Sequence, residues 1–182
     1  MIVTEKKVHL KSGQNCILRS PRAEDAERLV TYMKETAKET QFLLRYPEEV
    51  NMTAEDEVNF IQSMNESEDS FMMIAEVDGK LAGNCSLSSL GFRIRIKHRC
   101  NVAIALYEEF CGLGIGKAMM EHLLDEAKNM GFEQAELEVV GRNERAIALY
   151  EKLGFERVGA MPHAMKHKDG SYDELIMMVK IL

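Results

Sequence analysis

The stretch Leu106-Tyr-Glu-Glu-Phe-Cys-Gly-Leu-Gly-Ile-Gly-Lys-Ala-Met-Met120 joins two segments of opposite character. Before it, Val102-Ala-Ile-Ala-Leu106 is an apolar run suited to a buried strand. After it, Ile115, Met119, His122, Leu123, Ala127 and Met130 recur on one side of a helix. Gly112, Gly114 and Gly116 therefore stand at a strand-to-helix junction. Glycines there let the backbone come close to a ligand, and the first N–H groups of the helix face outward with no acceptor of their own. A pyrophosphate suits that geometry, with Lys117 adding positive charge in the first turn. The plainer alternative is a glycine-rich turn that only starts the helix.

Two other phosphate loops do not fit. A P-loop requires Gly-x-x-x-x-Gly-Lys-Ser/Thr, and here Lys117 is followed by Ala118. A Rossmann loop requires Gly-x-Gly-x-x-Gly, which ends on Lys117 or Met119 depending on the starting glycine. Cys111-Gly-Leu-Gly-Ile-Gly116 resembles instead the acyl-CoA loop of the GNAT superfamily of N-acetyltransferases, Arg/Gln-x-x-Gly-x-Gly/Ala. It keeps Gly114 and Gly116 and departs at Cys111, losing one side-chain contact while leaving the backbone amides. A second stretch, Asn143-Glu-Arg-Ala-Ile-Ala-Leu-Tyr-Glu-Lys-Leu-Gly-Phe155, is similar to the superfamily pattern Asn-x-x-Ala-x-x-Leu-Tyr-x-x-x-Gly-Phe at each of its positions. The resemblance is close over residues 102–155 and extends to the rest through the order of elements.

That order reads as follows. A first strand over 15–19 leads, through Ser20 and Pro21, into a helix with proline in its first turn and Glu24 and Asp25 at its positive end. Residues 40–50 are irregular, and Thr53 then resembles the N-cap of a second helix. Strands over 71–77 and 80–88 flank Asp78-Gly79, a hairpin signal. A strand over 99–106, the glycine loop with its helix, and a strand over 134–140 follow. A short helix over 144–153 and strands over 155–164 and 172–181 end the chain. This α/β order (mixed α+β) implies a GNAT-like fold, a central mixed, mostly antiparallel sheet with helices on both faces. At 182 residues the simplest organisation is a single domain over 1–182.

The resemblance also implies roles. Ile104, Ala105 and Leu106 would offer main-chain groups to the pantetheine arm of acetyl-CoA, and a main-chain amide near Leu106 would hold the oxyanion. Cys111, Gly112, Leu113, Gly114, Ile115, Gly116 and Lys117 would hold the pyrophosphate. Asn143 would bond the cofactor arm, Tyr150 would protonate the departing thiolate, and the amine would attack the thioester directly. Read plainly, Asn143 is a helix N-cap and Tyr150 a core aromatic. A proton acceptor is needed because amines are mostly protonated at neutral pH. Glu136 and Glu138 alternate with apolar residues on one strand face, and Glu138 occupies the position that serves as base in relatives resembling the ribosomal-protein alanine acetyltransferase. His98 and His163 stand second. The rival class is a binding module that senses acyl-CoA without turning it over.

Composition narrows the partners. The net charge of −7 argues against a broad nucleic-acid surface and agrees with a cationic acceptor. The four cysteines, Cys16, Cys85, Cys100 and Cys111, show no Cys-x-x-Cys spacing, so neither a zinc site nor a disulfide framework is expected. No apolar run approaches membrane-spanning length and the first residues are polar, which places the chain in the cytoplasm without a membrane partner. The acceptor would be a small-molecule amine or a peptide, its site lined by residues 40–52 and 162–171. Arg93, Arg95, Lys97 and Arg99 would point one way if extended, as a solvated face, a docking strip for an acidic peptide, or an edge beside a second copy in a homodimer.

Overall fold

The computed structural model describes residues 1–10 and 12–182. Its strands are β1 (Lys6–His9), β2 (Asn15–Arg19), β3 (Ser70–Val77), β4 (Lys80–Ser89), β5 (Arg99–Leu106), β6 (Gln134–Val140), β7 (Glu156–Lys166) and β8 (Tyr172–Ile181). The helices are α1 (Ala26–Glu39), α2 (Ala54–Glu66), α3 (Ile115–Asn129) and α4 (Glu144–Lys152). One sheet carries every strand in the order β1-β2-β3-β4-β5-β6-β8-β7. Its only parallel pair, among the described residues, is β5 with β6.

Alternation along β3 shows how the layers form. Phe71, Met73, Ala75 and Val77 face the core shared with Ile115, Met119 and Leu123 of α3 and with Ile147 and Tyr150 of α4. Met72 and Ile74 face the other core, with Leu29, Tyr32 and Met33 of α1 and Ile61 and Met64 of α2. The centre of the sheet is thus covered on both faces, which is why β3 reads as a continuous apolar run. Thr53 caps α2 as its sequence suggests, accepting from the Asp56 amide at 3.1 Å while the Asp56 carboxylate accepts from the Thr53 amide at 2.8 Å.

Three local expectations are corrected. The first helix does not open at Pro21: a 3-10 turn over Ala23–Asp25 intervenes and α1 begins at Ala26. The cations over 93–97, which would point one way if extended, are not in a strand: the amides of Ile96 and Lys97 both donate to the Arg93 carbonyl, folding the segment into turns, while β5 begins at Arg99 as the sequence indicates. The outermost strand runs Glu156–Lys166, and β1 adds an edge that its single apolar residue, Val8, did not advertise.

Asp25 explains the shift in the helix start. Its side chain is 2% exposed and meets Arg19 at 2.7 Å and Arg28 at 2.5 Å, while its carboxylate accepts from the Arg22 amide at 2.7 Å. Burial pushes the carboxyl up, but the Arg19, Arg22 and Arg28 donors outweigh it and hold it at about 2. A folded value below the ordinary one stabilises the protein above pH 4, and that stabilisation drains away as pH falls toward 2. Asp25→Asn should therefore cost about 2 kcal/mol at pH 7. In denaturant titrations its deficit should shrink steadily as pH is lowered from 4 to 2; a deficit constant across that range would contradict the assignment.

Candidate active site

Three register pairs join β5 to β6, Arg99 with Gln134, Cys100 with Ala135 and Asn101 with Glu136, and the ladder then stops. Beyond it β5 stays paired to β4, with Ile104 opposite Cys85 and Leu106 opposite Gly83. β6 stays paired to β8, with Glu138 opposite Met177 and Val140 opposite Leu175. The two strands therefore diverge, and Ile104, Ala105 and Leu106 are half-exposed along the gap although Val102 just before them is buried. Main-chain groups on the gap side of these residues have no strand partner across the gap.

The glycine loop lies at the wide end of this gap. Gly112 and Gly114 have φ of +81° and +89°, the left-handed region, with open space where a β-carbon would stand. Gly114 is the N-cap of α3 and offers no side chain to it. Among the described residues, no main-chain acceptor serves the amides of Gly112 through Lys117. A run of orphan donors at the start of a buried-core helix fits an anionic diphosphate. Gly116 serves packing instead. A β-carbon there would lie 3.4 Å from Leu106, 3.5 Å from Leu149 and 3.8 Å from Ile104, so α3 is seated against both β5 and α4. Leu113 and Ile115 point into the core and brace the loop. Cys111 donates its thiol to the Tyr107 carbonyl at 3.5 Å, and Lys117 pairs with Glu121 at 2.6 Å on the exposed side of the helix.

Across the gap, Asn143 caps α4, its side chain accepting from the Ala146 amide at 3.2 Å. Tyr150 is 6% exposed and lies edge-on to Phe155, with 5.9 Å between ring centroids. Burial, with a lesser contribution from the Cys85 thiol, pushes its phenol up to about 12. Cys85 is the strand partner of Ile104, so Tyr150 sits at the level of the gap, on the side of α3 and α4. Glu136 and Glu138 share the opposite face. Glu136 is held in an ion pair with Arg99 and accepts from Gln134 at 2.8 Å. Glu138 is exposed. His98 stands at the closed end, its carbonyl accepting from the Glu133 and Gln134 amides. His163, with φ of +54°, stacks on Tyr172 at 4.5 Å in the edge hairpin.

The two segments expected to line the acceptor site meet. The loop after α1 crosses to the β7–β8 turn, where Arg142 holds Asp173 at 2.8 Å, donates to Gln41 at 3.0 Å and lies over the Phe42 ring. The Lys168 amide donates to the Tyr46 hydroxyl at 3.1 Å, Lys168 pairs with Glu48, and His167 meets Asp173 at 2.7 Å. These residues tie one arm of the gap to the other. Arg142 and Asp173 were not expected from the sequence, because their partners lie far off along the chain and no local pattern marks them.

Residues 26–155 match the acetyltransferase (GNAT) family. The chain belongs to that family. It is 32% identical over 123 residues to an N-alpha-acetyltransferase of Sulfurisphaera tokodaii, covering 62% of this chain and 72% of that one. It is 38% identical over 78 residues to the ribosomal protein bS18 alanine N-acetyltransferase of Escherichia coli, spanning 43% of this chain and 53% of that relative's length. The fold is also that of a phosphinothricin acetyltransferase from Sinorhizobium meliloti solved in complex with acetyl-CoA, with a TM-score of 0.79 at 21% identity over 96% of this chain and 89% of that one.

Gly114→Val tests the anion-binding loop. A branched residue at φ +89° strains the backbone locally by about 1–2 kcal/mol, and its side chain occupies the space that the orphan amides face. The protein should fold, while calorimetry should show acetyl-CoA binding at least about tenfold weaker. Undiminished affinity in the folded variant would remove the pyrophosphate from this loop.

Proposed function

We propose that this GNAT protein transfers the acetyl group of acetyl-CoA to a primary amine by direct attack, and that the amine is the free end of a peptide. The observation that carries the reading is the gap between β5 and β6, with a buried phenol on one side of the sheet and an exposed carboxylate on the other. The peptide acceptor is supported by the N-alpha and ribosomal-protein alanine acetyltransferases among the relatives.

Acetyl-CoA supplies an activated acyl thioester. Gly112 to Lys117 would hold its pyrophosphate through main-chain amides, and Ile104 to Leu106 would line its arm. Asn143 has a side-chain carbonyl already bonded to the Ala146 amide, leaving its own amide group for the cofactor. Glu138 accepts a proton from the incoming ammonium, so that the amine lone pair is free to attack. Its exposure leaves it within reach of an incoming amine. Tyr150 does the opposite job. Burial keeps its phenol protonated well above neutral pH, so it is a proton donor when negative charge builds on the sulfur.

Two substitutions separate these roles. Glu138→Gln should lower turnover at pH 7 by about a hundredfold, a typical loss for a general base. The loss should shrink at high pH, where the amine deprotonates unaided; a variant of full rate at neutral pH would move the role elsewhere. Tyr150→Phe keeps the ring beside Phe155, so Tm should hardly move. Turnover should drop about ten- to a thousandfold with acetyl-CoA affinity kept within a few-fold, because the hydroxyl acts in the transition state. Equal losses in affinity and turnover would make the phenol a binding group rather than an acid.

A further inference from the structure

The segment between β4 and β5 is an ordered loop that the reaction does not use. The Leu90 amide donates to the Arg99 carbonyl at 3.1 Å, the Arg99 amide to the Ile96 carbonyl at 3.0 Å, and Ile96 folds back over Gly91. What this framework displays is unusual for a soluble surface. Phe92 is 87% exposed and Ile94 is 84% exposed, and Arg93, Arg95 and Lys97 beside them are exposed too. Large apolar side chains left in water at a loop tip mark a contact surface more often than a free one. The cations are equally out of place, since the chain as a whole carries a net charge of −7.

Its position in the fold connects the loop to the reaction. Arg99 ends the loop and begins β5, on the face that carries Asn101 and Ala103, both exposed. Arg99 is paired to Glu136, and Glu138 is two residues further along β6 on the same face. One strip of open sheet therefore runs from the loop to Glu138. The Arg99 side chain reaches Glu136, about 7 Å along the strand from Glu138, but its backbone is level with Gln134, about 13 Å away. A peptide whose terminal amine is at Glu138 therefore brings roughly its fifth residue level with the start of β5 and the next ones to the loop. At the other end of the strip, the strap of Gln41, Tyr46 and Glu48 on Arg142 and Lys168 spans the gap. The loop stands at the end of the strip away from this strap.

We propose that the loop over 90–98 is the docking surface for the acceptor polypeptide, and that this polypeptide carries acidic residues, with an apolar one among them, from about its fifth position onward. The inference rests on the transferase reading above. It assigns Arg93, Arg95 and Lys97 to the acidic residues, and Phe92 and Ile94 to the apolar one.

The test uses peptides with a free N-terminal alanine, identical except for acidic, neutral or lysine residues at positions five to eight. The parent should prefer the acidic peptide to the neutral one by about tenfold in kcat/KM, mostly in KM, as expected of a few partly exposed charge pairs. The preference should fade between low salt and about 0.5 M, as screening shortens the reach of exposed charges. Arg93→Ala/Arg95→Ala/Lys97→Ala should abolish it, while acetyl-CoA affinity and turnover of alanine amide stay within about twofold, because that acceptor is too short to reach the loop. Phe92→Ser/Ile94→Ser should weaken all three peptides alike. No preference in the parent, or one that survives the triple substitution, overturns the proposal. So does a triple variant that changes oligomeric state in sedimentation, or that loses binding to phosphatidylserine vesicles or to RNA shown by the parent. Anisotropy of a labelled acidic peptide separates this from failure of the transferase reading: a parent that turns over no amine yet binds the peptide through the three cations keeps the surface and loses the reaction.

Discussion

β5 and β6 run together for three residue pairs and then part, and the rest of the molecule is arranged around that parting. Each strand keeps its other neighbour throughout, β4 for β5 and β8 for β6, so neither loses its place in the sheet. Only the groups facing the gap are released from the ladder. Buried main-chain groups without partners are costly, so a sheet can open in this way only where a ligand or water completes the bonding. The opening is also propped. Gly116 seats the first turn of α3 so that a β-carbon there would just touch Leu106, Leu149 and Ile104. The tighter position is Gly83 of β4, opposite Leu106, where a β-carbon would stand 2.4 Å from the Ala105 carbonyl of β5.

The sheet acts as a partition with one hole in it. α3 and α4 lie on one face and bring the orphan amides, Asn143 and Tyr150. α1 and α2 lie on the other, together with the strap that begins where α1 ends. In the proposed reaction the two reactants would approach from opposite sides and meet in the gap. The surroundings of the two proposed acid–base groups follow the same division: Tyr150 is enclosed among apolar neighbours, which disfavour a phenolate, whereas Glu138 stands in solvent.

Much of this was legible in the sequence because the signals are local. The glycines at 112, 114 and 116, the Thr53 cap, the Asp-Gly hairpin and the alternation of Glu136 and Glu138 each depend on a few neighbouring residues. The pieces that escaped depend on distance. Arg142 reaches Gln41, and Lys168 reaches Tyr46 and Glu48, across more than half the chain. The start of α1 was displaced by a buried ionic cluster whose fourth member, Glu76, is on another strand. Residues 93–98, whose alternation would also allow a strand, depart from one for a different reason. Alternating charge and apolarity has the period of a strand, yet here no neighbouring strand receives its apolar side, and the backbone bonds to itself instead.

That last failure of pattern carries information of its own. In a strand, alternation puts the apolar side chains in the core and the charges in water. In the loop Phe92 and Ile94 face water together with the cations, and most of the hydrogen bonds that shape it are its own, with the His98 carbonyl also tied to the start of β6. The fold therefore draws no stability from Phe92 or Ile94 in this conformation, and self-repulsion among Arg93, Arg95 and Lys97 works against it. A tip that presents two large apolar residues and three cations, at the loop end of the strip leading to Glu138, is better explained by what it meets than by what it supports.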